Sequence, residues 1–173
     1  QFDDPYFSLG GGLDETRHVF LTGNGLPERF RDGFRIAELG FGTGLNLLAT
    51  LLAHQGNGHI FYTSFEAFPM PAEDIARALA AFPEVATVAQ PFLRQWETGE
   101  TTLRFPNLTA TIRLGDARET LPSWDGEADA CAPEPEREVE ERVGLVGEVG
   151  QAVGEQIGRP RRAPPRQQPQ PAA

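Results

Sequence analysis

The apolar positions of this chain switch repeatedly between strand and helix periods. Phe34-Arg35-Ile36-Ala37-Glu38-Leu39 reads as a strand and runs into Gly40-Phe41-Gly42-Thr43-Gly44, a glycine density that strand interiors do not tolerate. From Leu45 to His54 the period becomes helical, with Leu45, Leu48, Leu51 and Leu52 on the apolar side, until Gln55-Gly56-Asn57-Gly58 ends it. His59 to Phe65 is rich in β-branched and aromatic residues and reads as a second strand. Pro71 opens a helix carrying Ile75, Leu79 and Phe82, and Pro83 stops it. Val85, Val88, Phe92 and Trp96 keep helical spacing across Pro91, which predicts two short pieces or a kink. Leu108 to Leu114 reads as a third strand. Upstream, Thr16 to Leu21 lies between the turn signals Gly10-Gly11-Gly12 and Asn24-Gly25 and reads as a strand or a short extended segment. Strands alternating with helices predict an α/β fold with a largely parallel sheet.

Composition divides the chain. It has 173 residues, enough for one domain of ordinary size, yet no Phe, Tyr or Trp follows Trp124. Residues 1–130 therefore read as a folded domain, and 131–173 as a low-complexity tail rich in Pro, Glu, Arg and Gln. Within that tail Val139, Val143, Val146, Val149, Val153 and Ile157 recur at helical spacing. Gly144, Gly147, Gly150 and Gly154 fall among them, so any helix there is marginal. The run after Gly158 is disordered by composition.

Charge and cysteine usage narrow the function classes. The formal net charge is −10 and every basic residue is Arg, a balance that argues against broad phosphate-backbone binding. The single Cys131 excludes a disulfide framework and a cysteine-based zinc site, and no metal is expected. No apolar run is long enough to span a bilayer, and no basic and apolar leader opens the chain; a cytoplasmic protein is expected. The chain begins with Gln1 rather than Met, which reads as a fragment or a processed product.

Three strand ends carry candidate chemistry. The first is Glu38-Leu39-Gly40-Phe41-Gly42-Thr43-Gly44, between a strand and a helix, where glycine permits a sharp turn and close approach of a ligand to helix-start N–H groups. The dinucleotide fingerprint needs a glycine where Leu45 stands, so an NAD-dependent oxidoreductase is disfavoured. Glycines at positions one, three and five, with an acid two residues earlier, match class I S-adenosylmethionine-dependent methyltransferases instead. The bland alternative is a turn and nothing more. The second is Glu66, 22 residues beyond Gly44, placed to accept from ribose hydroxyls or else simply solvated. The third is Gly115-Asp116-Ala117, where Asp116 would meet an adenine amino group, with Ala117 near the ring, or would cap a helix.

Further motifs sharpen the picture. Phe2-Asp3-Asp4-Pro5-Tyr6-Phe7-Ser8, Glu15-Thr16-Arg17-His18-Val19-Phe20-Leu21, Leu26-Pro27-Glu28-Arg29-Phe30 and Ser64-Phe65-Glu66-Ala67-Phe68-Pro69 together resemble one family. It is the methyltransferase domain of the bifunctional tRNA 5-methylaminomethyl-2-thiouridine biosynthesis proteins, and the resemblance runs from Phe2 to about Ala130. It implies the N-terminal half of a Rossmann-like methyltransferase fold, S-adenosylmethionine as cofactor, and tRNA as substrate, methylated on the aminomethyl group of the wobble uridine. FAD belongs only to a separate C-terminal domain of the bifunctional relatives. By this resemblance Glu38, Gly40, Gly42 and Gly44 would hold the methionine portion, Glu66 the ribose, and Asp116 and Ala117 the adenine. Phe2, Asp4, Tyr6 and Arg17 would belong to the region closing over cofactor or substrate. Asn46 would be a site residue or would order the loop. His18 reads as a structural rather than a catalytic histidine.

The chain departs from the family after Asp129-Ala130. The family continues with Trp-Phe-Leu-Asp-Gly-Phe, whereas here Cys131-Ala132-Pro133-Glu134 follow. The family's second aspartate, which would orient the substrate amine or accept its proton, has no replacement by motif. The expected consequences are an unpaired apolar edge on the first strand and a loss of methyl transfer. A change of reading frame after Ala130 is the expected origin of the tail. A noncatalytic nucleotide-binding or interaction fragment is the alternative function.

Overall fold

A computed structural model describes residues 12–132 of the chain. Its centre is a five-stranded sheet of order β3-β4-β2-β1-β5. β1 (Phe34–Leu39) pairs in parallel with β2 (Ile60–Glu66) from Phe34↔Ile60 to Leu39↔Phe65. β2 pairs in parallel with β4 (Leu108–Leu114), and β4 pairs antiparallel with β3 (Thr102–Phe105) across the Pro106-Asn107 turn. α2 (Leu45–Ala53) links β1 to β2; α3 (Ala72–Leu79) and α4 (Ala86–Glu97) lie between β2 and β3. A short α5 (Ala117–Thr120) follows β4, and β5 (Ala130–Ala132) closes the described chain.

The two faces of the sheet differ, as the two-residue period of strands requires. On one face Phe34, Ile36, Glu38, Ile60, Tyr62, Ser64, Leu108, Ala110 and Ile112 are all at most 2% exposed. The main apolar cluster there also takes in Leu47 and Leu48 of α2, Ile75 of α3 and Phe92 of α4. On the other face, cover is confined to a small cluster of Phe65 and Leu121 with Leu39, Trp124 and Cys131 beside it. Phe61 on that face is 46% exposed.

Four expectations change. Thr16 to Leu21 is a π-helical turn continuing α1 (Gly12–Glu15), not a strand. Leu13, Thr16, Phe20 and Leu21 are buried while Val19 is 53% exposed, a helical burial pattern that lets the segment pack against α2. Pro91 does not divide its helix: α4 runs through it as one element, preceded by a 3-10 turn at Pro83–Val85. The missing N–H of Pro91 costs one backbone bond, and burial of Ala89 and Phe92 offsets it. β3 was not foreseen, because four residues between a glycine and a proline carry little period.

The fourth change concerns the edge of β1. That edge is not bare among the described residues, since β5 pairs in parallel with it at Ile36↔Ala130, Ala37↔Cys131 and Glu38↔Ala132. Sheet pairing thus continues two residues past the compositional break. Asp129 anchors this short strand. Its carboxylate accepts from Arg31 at 2.8 and 3.1 Å and from the Arg35 amide at 2.9 Å, while Arg29 donates to its carbonyl at 2.9 Å. Asn24 donates to the Cys131 carbonyl at 3.1 Å. Residues 133–173, including the Val139–Ile157 period and the Pro-rich run, lie outside the described residues, as do Phe2, Asp4 and Tyr6. No helix among the described residues is long and apolar enough to cross a membrane.

Replacing Asp129 with Ala should destabilise the domain by about 1–2 kcal/mol, since a charged acceptor is lost but Arg31 keeps access to water. Urea unfolding measures the change, and hydrogen exchange at the Arg35 amide should accelerate. An unchanged midpoint would show that β5 does not depend on this anchor.

Candidate functional site

β1 ends at Leu39, and the sheet pairing extends one residue further because the Gly40 amide donates to the Phe65 carbonyl at 2.9 Å. The chain then reverses into α2 through Gly40, Gly42 and Gly44, with φ of 77°, 54° and 76°. These left-handed values are what side chains resist. The three glycines do not share one purpose, however. A Cβ on Gly44 would lie 3.0 Å from the Phe41 ring and 3.2 Å from the Phe92 ring, so this glycine serves packing. A Cβ on Gly42 would meet none of the described residues within 4 Å.

The turn is pinned by its own aromatic. Phe41 is 3% exposed, stacks on Trp96 at 5.0 Å between centroids and meets Phe92 edge-on at 5.9 Å. Trp96 is held in turn by donating its indole N–H to the Met70 carbonyl at 3.0 Å. At the start of α2 no side chain caps the first turn. The helix-start amides are therefore not taken by a side-chain cap.

Glu66, the last residue of β2, faces this turn. Its Oε2 accepts from the Phe41 amide at 2.8 Å and the Gly42 amide at 3.0 Å. Its Oε1 accepts from the Phe68 amide at 2.7 Å. The structure thus brings Glu66 to the glycine turn, as the sequence-based site requires. It also gives the carboxylate work that the sequence did not reveal.

Glu38 sits beneath the turn on the buried face and is 1% exposed. Its Oε1 accepts from Asn46 Nδ2 at 2.9 Å, so Asn46 ties the start of α2 to the end of β1. Tyr62 and Ser64 lie beside the same carboxyl, yet neither hydroxyl is aligned in a hydrogen bond with it. Glu38 Oε2, Tyr62 OH, Ser64 Oγ and Thr43 Oγ1 are buried oxygens without a partner. Burial pushes the Glu38 carboxyl up to about 8; Glu66 adds a little in the same direction, while Asn46, Ser64 and Tyr62 pull the other way without reversing it. A neutral carboxyl carries a proton that its Oε2 can donate to either hydroxyl.

The third strand end is more occupied. Asp116 caps α5 by accepting from the Arg118 amide at 2.9 Å, and its carboxylate pairs with the Arg118 guanidinium. Any base amino group at this place would share the carboxylate with Arg118. Ala117 begins α5 and lies against the Phe65–Leu121 cluster. Arg17 is exposed and pairs with Asp14 at 3.2 Å. His18 is exposed as well, so it is no core histidine.

Phe41, Thr43 and Phe68 were absent from the sequence-based site. Phe68 is 79% exposed immediately beyond Glu66, an aromatic ring presented to solvent at the sheet's carboxyl edge. Its place in Glu66-Ala67-Phe68-Pro69 was the available signal. Elsewhere, a cleft of about 380 Å³ opens on the thinly covered face, lined among others by Arg35, Phe61, Thr63 and Trp124. It lies along the strands rather than at their carboxyl ends. Among the described residues no group of three His, Cys, Asp or Glu side chains converges as a metal site.

No family model matches the chain. Individual proteins do. The tRNA 5-methylaminomethyl-2-thiouridine biosynthesis bifunctional protein MnmC of Aeromonas hydrophila is 44% identical over 145 residues, which cover 75% of this chain and 22% of that protein. Its namesakes from Leptospira borgpetersenii and Acinetobacter baylyi are 41% and 40% identical, over 75% and 78% of this chain and 22% and 26% of theirs. This chain is an MnmC homologue. It spans about a quarter or less of the length of these MnmC relatives. The crystal structure of MNMC2 from Aquifex aeolicus superposes with a TM-score of 0.57 at 22% identity, covering 73% of this chain and 41% of that one. The likeness to MNMC2 shows the fold alone, an α/β arrangement about a largely parallel sheet, as the alternation of strands and helices predicts.

Two predictions follow from the site's geometry. Gly44→Ala should destabilise the domain by about 1–3 kcal/mol, since the new methyl meets two aromatic rings at a left-handed backbone. Gly42→Ala should cost less, because only the backbone resists; comparing the two denaturation midpoints checks the order. Because Glu38 holds its proton to about pH 8 when folded but loses it near pH 4.5 when unfolded, the stability it contributes is full below 4.5 and is lost as pH rises towards 8. Glu38→Gln should flatten this slope and stabilise the domain by roughly 1–3 kcal/mol at pH 8. A pH series of urea unfolding for both proteins measures it, and parallel curves would refute the neutral carboxyl.

Proposed function

We propose that this chain is an S-adenosylmethionine-binding, methyltransferase-type module of the tRNA-modifying MnmC proteins. The observation that carries the reading is Glu66 at the end of β2, bonded to the Phe41 and Gly42 amides of the glycine turn. An acid at the second strand end beside a glycine-rich strand-to-helix turn suits a ribose bound at the carboxyl edge of the sheet. The unpartnered, buried Thr43 Oγ1 and the uncapped first turn of α2 suit polar atoms of a bound methionine moiety.

On this reading the residues divide the work. Gly40 and Gly42 admit the ligand close to the backbone, and Gly44 lets Phe41 lock the turn. Glu38 acts from below, through Asn46 and the helix start. Glu66 takes the ribose hydroxyls, and Asp116 with Ala117 borders the base. Arg17, with Phe2, Asp4 and Tyr6 outside the described residues, belongs to the region closing over the site. S-adenosylmethionine supplies an electrophilic methyl group, and the acceptor is the aminomethyl nitrogen of a wobble 5-aminomethyl-2-thiouridine in tRNA. The protein's contribution is positioning. FAD is assigned to the other part of the bifunctional relatives, and the proposed place of action is the cytoplasm.

We assign this chain cofactor binding without proficient methyl transfer. The aromatic run that carries the family's fourth-strand aspartate is replaced from Cys131 onward. Glu134 stands at the same count beyond Asp129, follows Pro133 and lies outside the described residues.

Calorimetry with S-adenosylhomocysteine and with NAD tests the reading. Binding of the former but not the latter is expected. Glu66→Ala should weaken it by about 1–3 kcal/mol, as loss of a charged hydrogen-bond acceptor does. Equal affinity in the variant removes Glu66 from the site, and preference for NAD favours an oxidoreductase. Retained S-adenosylhomocysteine binding without methylation of tRNA bearing 5-aminomethyl-2-thiouridine supports the binding-fragment reading.

A further inference from the structure

We infer that the Glu66 carboxylate is a shared acceptor for which the glycine-turn amides and the vicinal diol of a bound nucleoside compete, so that nucleoside binding and release of the turn are one event. The inference rests on the nucleoside reading of the site and adds a cost and a sequence to it.

The argument is a count of acceptor positions. A carboxylate offers about four lone-pair sites. In the structure three are taken by backbone N–H groups: Phe41 and Gly42 on Oε2, and Phe68 on Oε1. One remains. A vicinal diol that donates both hydroxyls needs two, so at least one backbone amide must leave.

Of the two amides on Oε2, the structure distinguishes which leaves. The Phe41 amide is fixed, because its ring is 3% exposed and stacked on Trp96. Gly42 has no side chain, is partly exposed, and none of the described residues lies within 4 Å of where a Cβ would sit. A small rotation at Gly42 therefore frees its N–H without disturbing the aromatic cluster. The freed donor can then be accepted by a ligand's anionic group. A ligand carrying both a diol and a carboxylate then satisfies both sides of the exchange, whereas a nucleoside alone leaves the Gly42 amide unpaired.

The experiment uses the full chain, uniformly labelled with 15N, and reads amide exchange and proton shifts. In the ligand-free protein Phe41 and Gly42 should be protected. In Glu66→Ala both should exchange at least tenfold faster, while Leu48 and Ile75, bonded to the Gly44 and Pro71 carbonyls, keep their rates as a control for folding. Unchanged rates at Phe41 and Gly42 overturn the inference. The second arm needs no variant. Adenosine should move the Gly42 amide proton upfield and speed its exchange at least tenfold relative to the 2′,3′-dideoxyadenosine complex, which buries the same surface without a diol. Equal Gly42 behaviour in the two complexes, or a change confined to Phe68, overturns the inference while leaving the nucleoside site intact. If neither adenosine nor S-adenosylhomocysteine perturbs any amide, the proposed function itself fails, and this inference with it.

Discussion

The turn from Gly40 to Gly44 is the constraint on which the carboxyl edge of this sheet depends. It must reverse the chain from β1 into α2 over five residues, three of them at left-handed backbone angles. Such a segment has little intrinsic order, so it is held from outside. Phe41 anchors it in the aromatic cluster of α4, and Glu66 gathers two of its amides. Register makes the second hold possible. Because Leu39 is level with Phe65, the next residue of β2 is beside the first residues of the turn. The Gly115 amide donates to the Glu66 carbonyl at 2.9 Å, which brings the third strand end into the same row. A slip of one residue between β1 and β2 would reverse every side chain on β2 and remove the carboxylate from the turn.

Much of this was legible from the chain because it rests on local patterns. β1, α2, β2, α3 and β4 each carry an apolar period long enough to identify, and turn chemistry marks their ends. The glycine spacing and the acid at the second strand end were visible for the same reason. What was not legible depends on contacts between distant residues. Thr16 to Leu21 has strand-like composition, and only its packing against α2 makes it helical. β5 is three residues long and exists because Asp129 is gripped by Arg31 and by the backbone of Arg35. That Gly44 is a packing glycine and Gly42 is not cannot be read from a G-x-G-x-G string. The difference comes from Phe92, which stands 48 positions further along.

Glu38 shows how the same residue type acquires a different character from its position. From the sequence it reads as an anion beside a ligand. In the fold it points to the buried face, level with Ser64 across the sheet and near Tyr62. Burying a charge there without a full set of partners would be expensive, and holding a proton is the cheaper state. A protonated Glu38 then acts as a hydrogen-bonding strut: it accepts from Asn46 on one oxygen and offers a donor to the neighbouring hydroxyls on the other. Glu66, partly exposed and ringed by three amides, remains the acceptor-rich group. Two acids bracketing one turn thus have separate roles, one supporting the turn from beneath and the other gathering its amides.

The arrangement of basic residues bears on how a tRNA would be gripped. The chain has a net charge of −10 and no lysine, so any hold on phosphate must come from arginine. Among the nine described arginines, four are held in ion pairs with acids. Arg29 and Arg31 bond Asp129 near the start of β1, away from the glycine turn. Arg17, Arg77 and Arg118 pair with Asp14, Asp74 and Asp116. Freeing them for phosphate would give up those pairs, and the acids left behind would repel the same polyanion.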